Sequence, residues 1–107
     1  MSLREVFQRF YDTPAEIGEL TEGTGYLEDE ETFVRHGGCM VDYQPYSGGL
    51  AAREYGVTDE VTARVFSADP EDLLEVRRVA VIGGKRYDIV YAEAWEAGKM
   101  ALLRRRR

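Results

Sequence analysis

Cysteine and histidine are nearly absent, with one of each, Cys39 and His36, among 107 residues. A lone thiol closes no disulfide within the chain, and two candidate ligands fall short of the four that a structural zinc site takes. Stability therefore has to come from packing or assembly. No run of about 18 apolar residues is present, and the first residues lack the basic and apolar regions of a signal peptide. The reading is a chain with no membrane-spanning helix that stays in the cytosol. Positive charge is also in deficit: the formal net charge is −6. Non-specific binding to DNA rests on neutralising phosphates with Lys and Arg, so a DNA-gripping role is disfavoured.

The charge that is present is unevenly spread. Residues 1–52 carry ten acids against three bases, and residues 53–107 carry ten against eleven. Hydrophobic residues at 44% and charged residues at 32% are the balance of an ordinary globular protein. A chain this short has room for one domain with one modest core.

Apolar periodicity gives the order of elements. Leu3, Val6, Phe7 and Phe10 recur on one face of a short N-terminal helix, which Pro14 brings to an end. From there the pattern is that of strands. Residues 15–21 form a first strand, and an acidic loop with Glu28, Asp29, Glu30 and Glu31 follows. Residues 33–43 form a second strand, with Cys39, Val41 and Tyr43 on one face and Gly37-Gly38 predicting a bulge or bend. Residues 45–56, Pro-Tyr-Ser-Gly-Gly-Leu-Ala-Ala-Arg-Glu-Tyr-Gly, show no strand alternation and are expected to form a long mobile excursion. Long connections are uncommon in compact domains and are often functional, which makes this segment the leading candidate site.

Residues 57–68 alternate, with Val57, Val61, Ala63 and Val65 on one face. Residues 71–74 are expected to make a helical turn. Two strands, 77–82 and 85–94, flank Gly83-Gly84, a pair that suits a type I′ hairpin because both central positions need positive φ. Tyr87, Ile89, Tyr91 and Trp95 fall on one face of the second. After a turn at 96–98, Met100 and Leu102 of a last strand, 99–105, are expected to point inward. The fold class is therefore all-β: a small six-stranded antiparallel β-barrel with a long loop and a short N-terminal helix.

No catalytic constellation emerges. His36 and Cys39 lie three apart in a strand, so their side chains diverge unless the glycine bulge turns them, and a buried thiol acting as a small hydrophobe is the better reading of Cys39. Gly83-Gly84-Lys85 lacks the upstream glycine and the Ser or Thr of a phosphate-binding loop. The carboxylates of residues 28–31 lack the alternating spacing and pivot glycine of a calcium loop. Tyr87, Tyr91 and Trp95 offer a stacking platform for single-stranded nucleic acid, but they serve equally as core. Arg104 to Arg107 reads either as a frayed end or as a docking patch for phosphate or an acidic partner surface. No cofactor, metal or enzymatic activity is expected.

Several strings together carry a resemblance: Asp42-Tyr43-Gln44-Pro45-Tyr46-Ser47-Gly48-Gly49, then Arg53-Glu54-Tyr55-Gly56, then Thr62-Ala63-Arg64-Val65-Phe66, and Gly84-Lys85-Arg86-Tyr87-Asp88-Ile89-Val90 leading through Trp95 to Leu102-Leu103. In their order and spacing the chain resembles the head-tail joining, head completion or stopper, proteins of tailed phages and defective prophages. The resemblance implies a small β-barrel that assembles as a homo-oligomeric ring, understood to be dodecameric, between the portal with its adaptor and the tail proteins. Double-stranded DNA passes through such a ring without specific binding, and the role is structural. It also implies a place in the virion or prophage particle, after assembly in the bacterial host cytoplasm, with no membrane contact. The channel-gating loop falls on Tyr46, Ser47, Gly48, Gly49, Leu50, Arg53, Glu54, Tyr55 and Gly56. The alternative, from another class, is a small barrel that binds nucleic acid or a peptide as an accessory module.

Overall fold

The computed structural model describes residues 12–22, 31–57, 60–68, 73–95 and 98–106. Six strands, β1 (Thr13–Glu22), β2 (Glu31–Pro45), β3 (Ala63–Ser67), β4 (Val79–Ile82), β5 (Lys85–Trp95) and β6 (Gly98–Arg105), close into a barrel in the order β1-β2-β3-β6-β5-β4, with β4 returning to β1. Every pairing is antiparallel. The expected six-stranded barrel is thus present. The N-terminal helix, the acidic loop and the turn at 96–97 lie outside the described residues.

Alternation explains the barrel interior. Ile17 on β1, Val41 on β2, Ala63 and Val65 on β3, Ile89 on β5 and Leu103 on β6 are buried and meet in one cluster. Removing one leucine-sized side chain from water stabilises by about 2 kcal/mol, so this cluster is the main source of stability. Cys39 and Tyr43 pack against it from the same face of β2 as Val41, as the period-2 pattern requires. Gly83 (φ 59°) and Gly84 (φ 77°) both adopt positive φ between β4 and β5, giving the expected hairpin.

Two bulges correct the parity read from the sequence. In β2 the register steps from Ile17↔Gly37 to Gly18↔Arg35, leaving His36 as the extra residue. Gly18 sits at this step because a Cβ there would collide with the carbonyl oxygen of Val34. In β5 the register steps from Ile89↔Leu103 to Tyr91↔Leu102, leaving Val90 extra. Tyr87 and Ile89 therefore face the barrel interior, whereas Tyr91, expected on the same face, is turned outward. The side chain of Trp95 lies outside the described residues. Met100 and Leu102 also face away from the interior, which Ala101 and Leu103 fill instead. β6 is buried on both faces, and a strand covered on both sides carries no alternation from which its inner face is legible.

The third strand is shorter than expected. Its ladder begins at Ala63, and Val57 and Val61 belong to a second apolar cluster outside the barrel. Leu73 and Leu74, expected in a helical turn, are not helical; both are buried against the barrel core.

Candidate functional site

The segment between β2 and β3 is a helix rather than an irregular mobile loop. α1 (Gly48–Tyr55) begins at Ser47, whose hydroxyl accepts a hydrogen bond from the backbone N–H of Leu50 at 3.2 Å. It ends at Gly56 (φ 70°), whose N–H donates to the carbonyls of Ala51 and Ala52. Ser at the N-cap and a left-handed glycine after the last turn are the capping chemistry of a helix. Two glycines, Gly48 and Gly49, obscure that signal in the sequence because glycine disfavours helix by about 1 kcal/mol relative to alanine.

The entry and exit of the segment are tied together. Tyr46 N donates to Thr62 O at 3.1 Å, and Thr62 N donates to Leu103 O at 2.8 Å. From this neck α1 folds back over the outer face of β6. Ala51 is fully buried there, together with Tyr46, Val57, Val61, Met100 and Leu102, and Tyr55, Phe66, Val90 and Tyr91 pack around them. The burial is what pays for ordering the excursion.

Arg64, projecting outward from β3, is the polar centre of the contact. Its guanidinium carbon lies 4.3 Å from the Tyr46 ring centroid and 5.1 Å from that of Phe66. Nη2 donates to Gln44 Oε1 at 3.0 Å, and Nη1 donates to Tyr55 Oη at 3.4 Å. Glu54 Oε2 stands 3.9 Å from Nη1 and accepts the Tyr46 hydroxyl at 2.6 Å. Arg64 Nε is buried with no hydrogen-bond partner, which makes the arrangement costlier to hold than a fully satisfied network. Burial, then the Glu54 hydrogen bond and the Glu54 charge, push the Tyr46 phenol up to about 12, against the lowering effect of Arg64. The Tyr91 phenol is also raised, by burial and then by the charge of Glu93.

The candidate residues of the sequence reading thus divide in two. Tyr46, Glu54 and Tyr55 are engaged with Arg64, Tyr46 and Tyr55 lying 6.3 Å apart between ring centroids and Tyr55 and Tyr91 5.4 Å apart. Ser47 and Gly56 are caps. Gly49, Leu50 and Arg53 face solvent, and Leu50, at 38% exposure, is an apolar side chain left on the outer surface. Arg64 and Gln44 were missed as site residues. Their outward parity was legible on β2 and β3, but nothing in the sequence showed that a helix would cover them.

The other candidates separate. His36 at the β2 bulge is exposed and lies 3.2 Å from Glu19, whereas Cys39 packs inward. Among the described residues no group of three or more His, Cys, Asp or Glu side chains is placed to hold a metal ion. Tyr87 is buried in the barrel, its hydroxyl 3.2 Å from that of Tyr43, whose phenol is pushed up to about 12 by burial and then by the Tyr87 hydrogen bond. Tyr87 and Tyr91 therefore do not form one stacking platform.

No protein-family model matches the sequence, and no curated protein matches it at a significant level. Among solved structures the chain is similar to the solution structure of protein SF1141 from Shigella flexneri 2a, a structural genomics target. The TM-score is 0.60 at 14% sequence identity, and the match covers 89% of this chain and 91% of that one. At that identity the likeness concerns the fold alone.

Proposed function

We propose that this protein is a non-enzymatic structural subunit of a phage or prophage head-tail connector. It forms a ring below the portal and its adaptor, closes the DNA channel and joins head to tail. The observation that carries this reading is the excursion between β2 and β3, a discrete capped helix on a bonded neck. It occupies the position of the channel-reaching loop in the stopper proteins that the sequence resembles. The net charge of −6 supports it as well, since a conduit poor in cations does not hold a passing phosphate backbone.

The docked helix changes how such a gate works. A slack loop would close the channel by diffusion, whereas α1 has to leave β3 and β6 first, exposing the Arg64 network. Neighbouring subunits or the portal complex supply the difference in contact energy that such a two-state element needs. Heads carrying a variant without residues 48–55 should be built and yet lose their DNA. Heads that remain filled and infectious would reject the gate. Affinity of the isolated chain for oligonucleotides, weakening with salt, would favour the accessory-module alternative instead.

A further inference from the structure

The last residues of the chain are ordered, not frayed, as far as Arg106, and with β4 and β5 they build a cationic surface that the gate does not use. Asp88 on β5 is held from both sides: Arg104 Nη2 lies 3.0 Å from Oδ2 and Arg106 Nη1 lies 3.0 Å from Oδ1. Both carboxylate oxygens are thereby occupied. Arg106 N donates to Arg86 O at 2.9 Å, which brings the Arg86 backbone alongside. Two adjoining open grooves, of about 400 and 300 Å³, share Arg77, Asp88 and Arg106 in their walls. The larger runs to Glu19, Leu20 and Thr21 on β1. No residue of α1 lines either groove.

Arg77 is the second observation. Arg78 N donates to Glu75 O at 3.2 Å, closing a turn in which Arg77 takes the third position with φ 79°. That backbone conformation favours glycine, and a bulky residue held in it marks a position where strain is tolerated for some other reason. Arg77 is exposed, and no carboxylate among the described residues is paired with it. Four arginines, 77, 86, 104 and 106, thus stand around one neutralised aspartate, in a protein that is acidic overall.

We infer that this arginine groove receives the acidic segment of residues 22–31 from a second copy of the chain. That segment holds Glu22, Glu28, Asp29, Glu30 and Glu31 and no Lys or Arg, and guanidinium groups bind carboxylates through short charge-assisted hydrogen bonds. β1 lines its own groove at the level of Glu19 to Thr21, and the β1–β2 ladder runs on to Glu22↔Glu31. The strands therefore carry the acidic segment outward from the groove of the same chain. An acidic arm on one copy and an arginine groove on the next form a heterologous contact, the kind that closes into rings. The inference names the subunit contact of the proposed connector and rests on that reading for ring closure.

Sedimentation velocity and native mass measurements on the purified full chain test it at low and high ionic strength. The wild type should self-associate with rising concentration, and added salt should weaken the association. Arg77→Glu should weaken it about tenfold or more, and so should the triple variant Glu28→Lys, Asp29→Lys, Glu30→Lys; a mixture of the two should associate again. Arg77→Gly relaxes the turn, so loss of association in that variant is not a failure to fold. A wild type that stays monomeric at all concentrations would overturn the inference, as would association indifferent to these variants. A salt-dependent change of shape without change of mass would place the acidic segment on its own groove and overturn it equally. Association of this kind in a chain whose deletion leaves heads sealed would reject the connector and leave the contact standing.

Discussion

The barrel interior and the apolar layer beneath α1 are both made of buried aliphatic and aromatic side chains, but different things hold them. The interior is enclosed by six ladders, so its side chains stay buried as long as the sheet stays closed. The outer layer has a single eight-residue helix as its lid, attached by caps, by the neck at Tyr46 and Thr62, and by contacts that converge on Arg64. The interior therefore unfolds with the whole protein, whereas the layer under α1 has its own, lower opening free energy.

Substitutions should separate the two. Leu103→Ala, in the fully buried interior, is expected to cost about 3 kcal/mol of global stability in urea unfolding and to speed amide exchange everywhere. Arg64→Ala removes the cation between Tyr46, Phe66, Gln44 and Tyr55. Its expected cost is about 1–2 kcal/mol, read as faster exchange of α1 amides with the β1–β4 amides unchanged. If α1 and the barrel core accelerated together in Arg64→Ala, the two regions would be one cooperative unit. Ser47→Ala removes the N-cap and should cost about 1 kcal/mol, again confined to α1. Leu50→Ser, on the exposed face, should change stability by less than about 0.5 kcal/mol.

The tyrosines add a pH test. Tyr43 and Tyr46 are both pushed up to about 12 from the ordinary 10. Between those values the unfolded chain has released phenolic protons that the folded chain retains, so stability falls as pH rises from 10 to 12. Tyr46→Phe should remove the part of this fall that is seen at α1, leaving the part that depends on Tyr43 in the barrel. Exchange or fluorescence measured across that range checks the assignment.

How much of this was legible in the sequence follows from the same contrast. The barrel strands are covered on one face over most of their length, so alternation at Ala63 and Val65 or at Cys39, Val41 and Tyr43 reports the inner face directly. It fails where a second layer covers the outside, at Met100 and Leu102, and beyond the single-residue bulge at Val90, which reverses the parity of Tyr91. α1 was missed because Gly48 and Gly49 suggested a loop, although Ser47 and Gly56 are the residues that start and stop a helix. Of the candidate site, the segment was located from its lack of alternation, but its state was misjudged. A docking role for Arg104 and Arg106 was considered from the sequence, but their convergence on Asp88 was not visible, since it depends on the β5–β6 register.

The backbone bond between Tyr46 and Thr62 has a consequence for how such a chain can evolve. Because the intervening stretch leaves and re-enters the sheet at one point, its length and content can change without shifting the pairing of β2 with β3 or of β3 with β6. Lengthening a closed loop costs little additional entropy, roughly 0.6 kcal/mol per doubling. The fold thus carries an exchangeable cassette, free to be re-tailored to a new assembly partner while the scaffold beneath it is inherited intact.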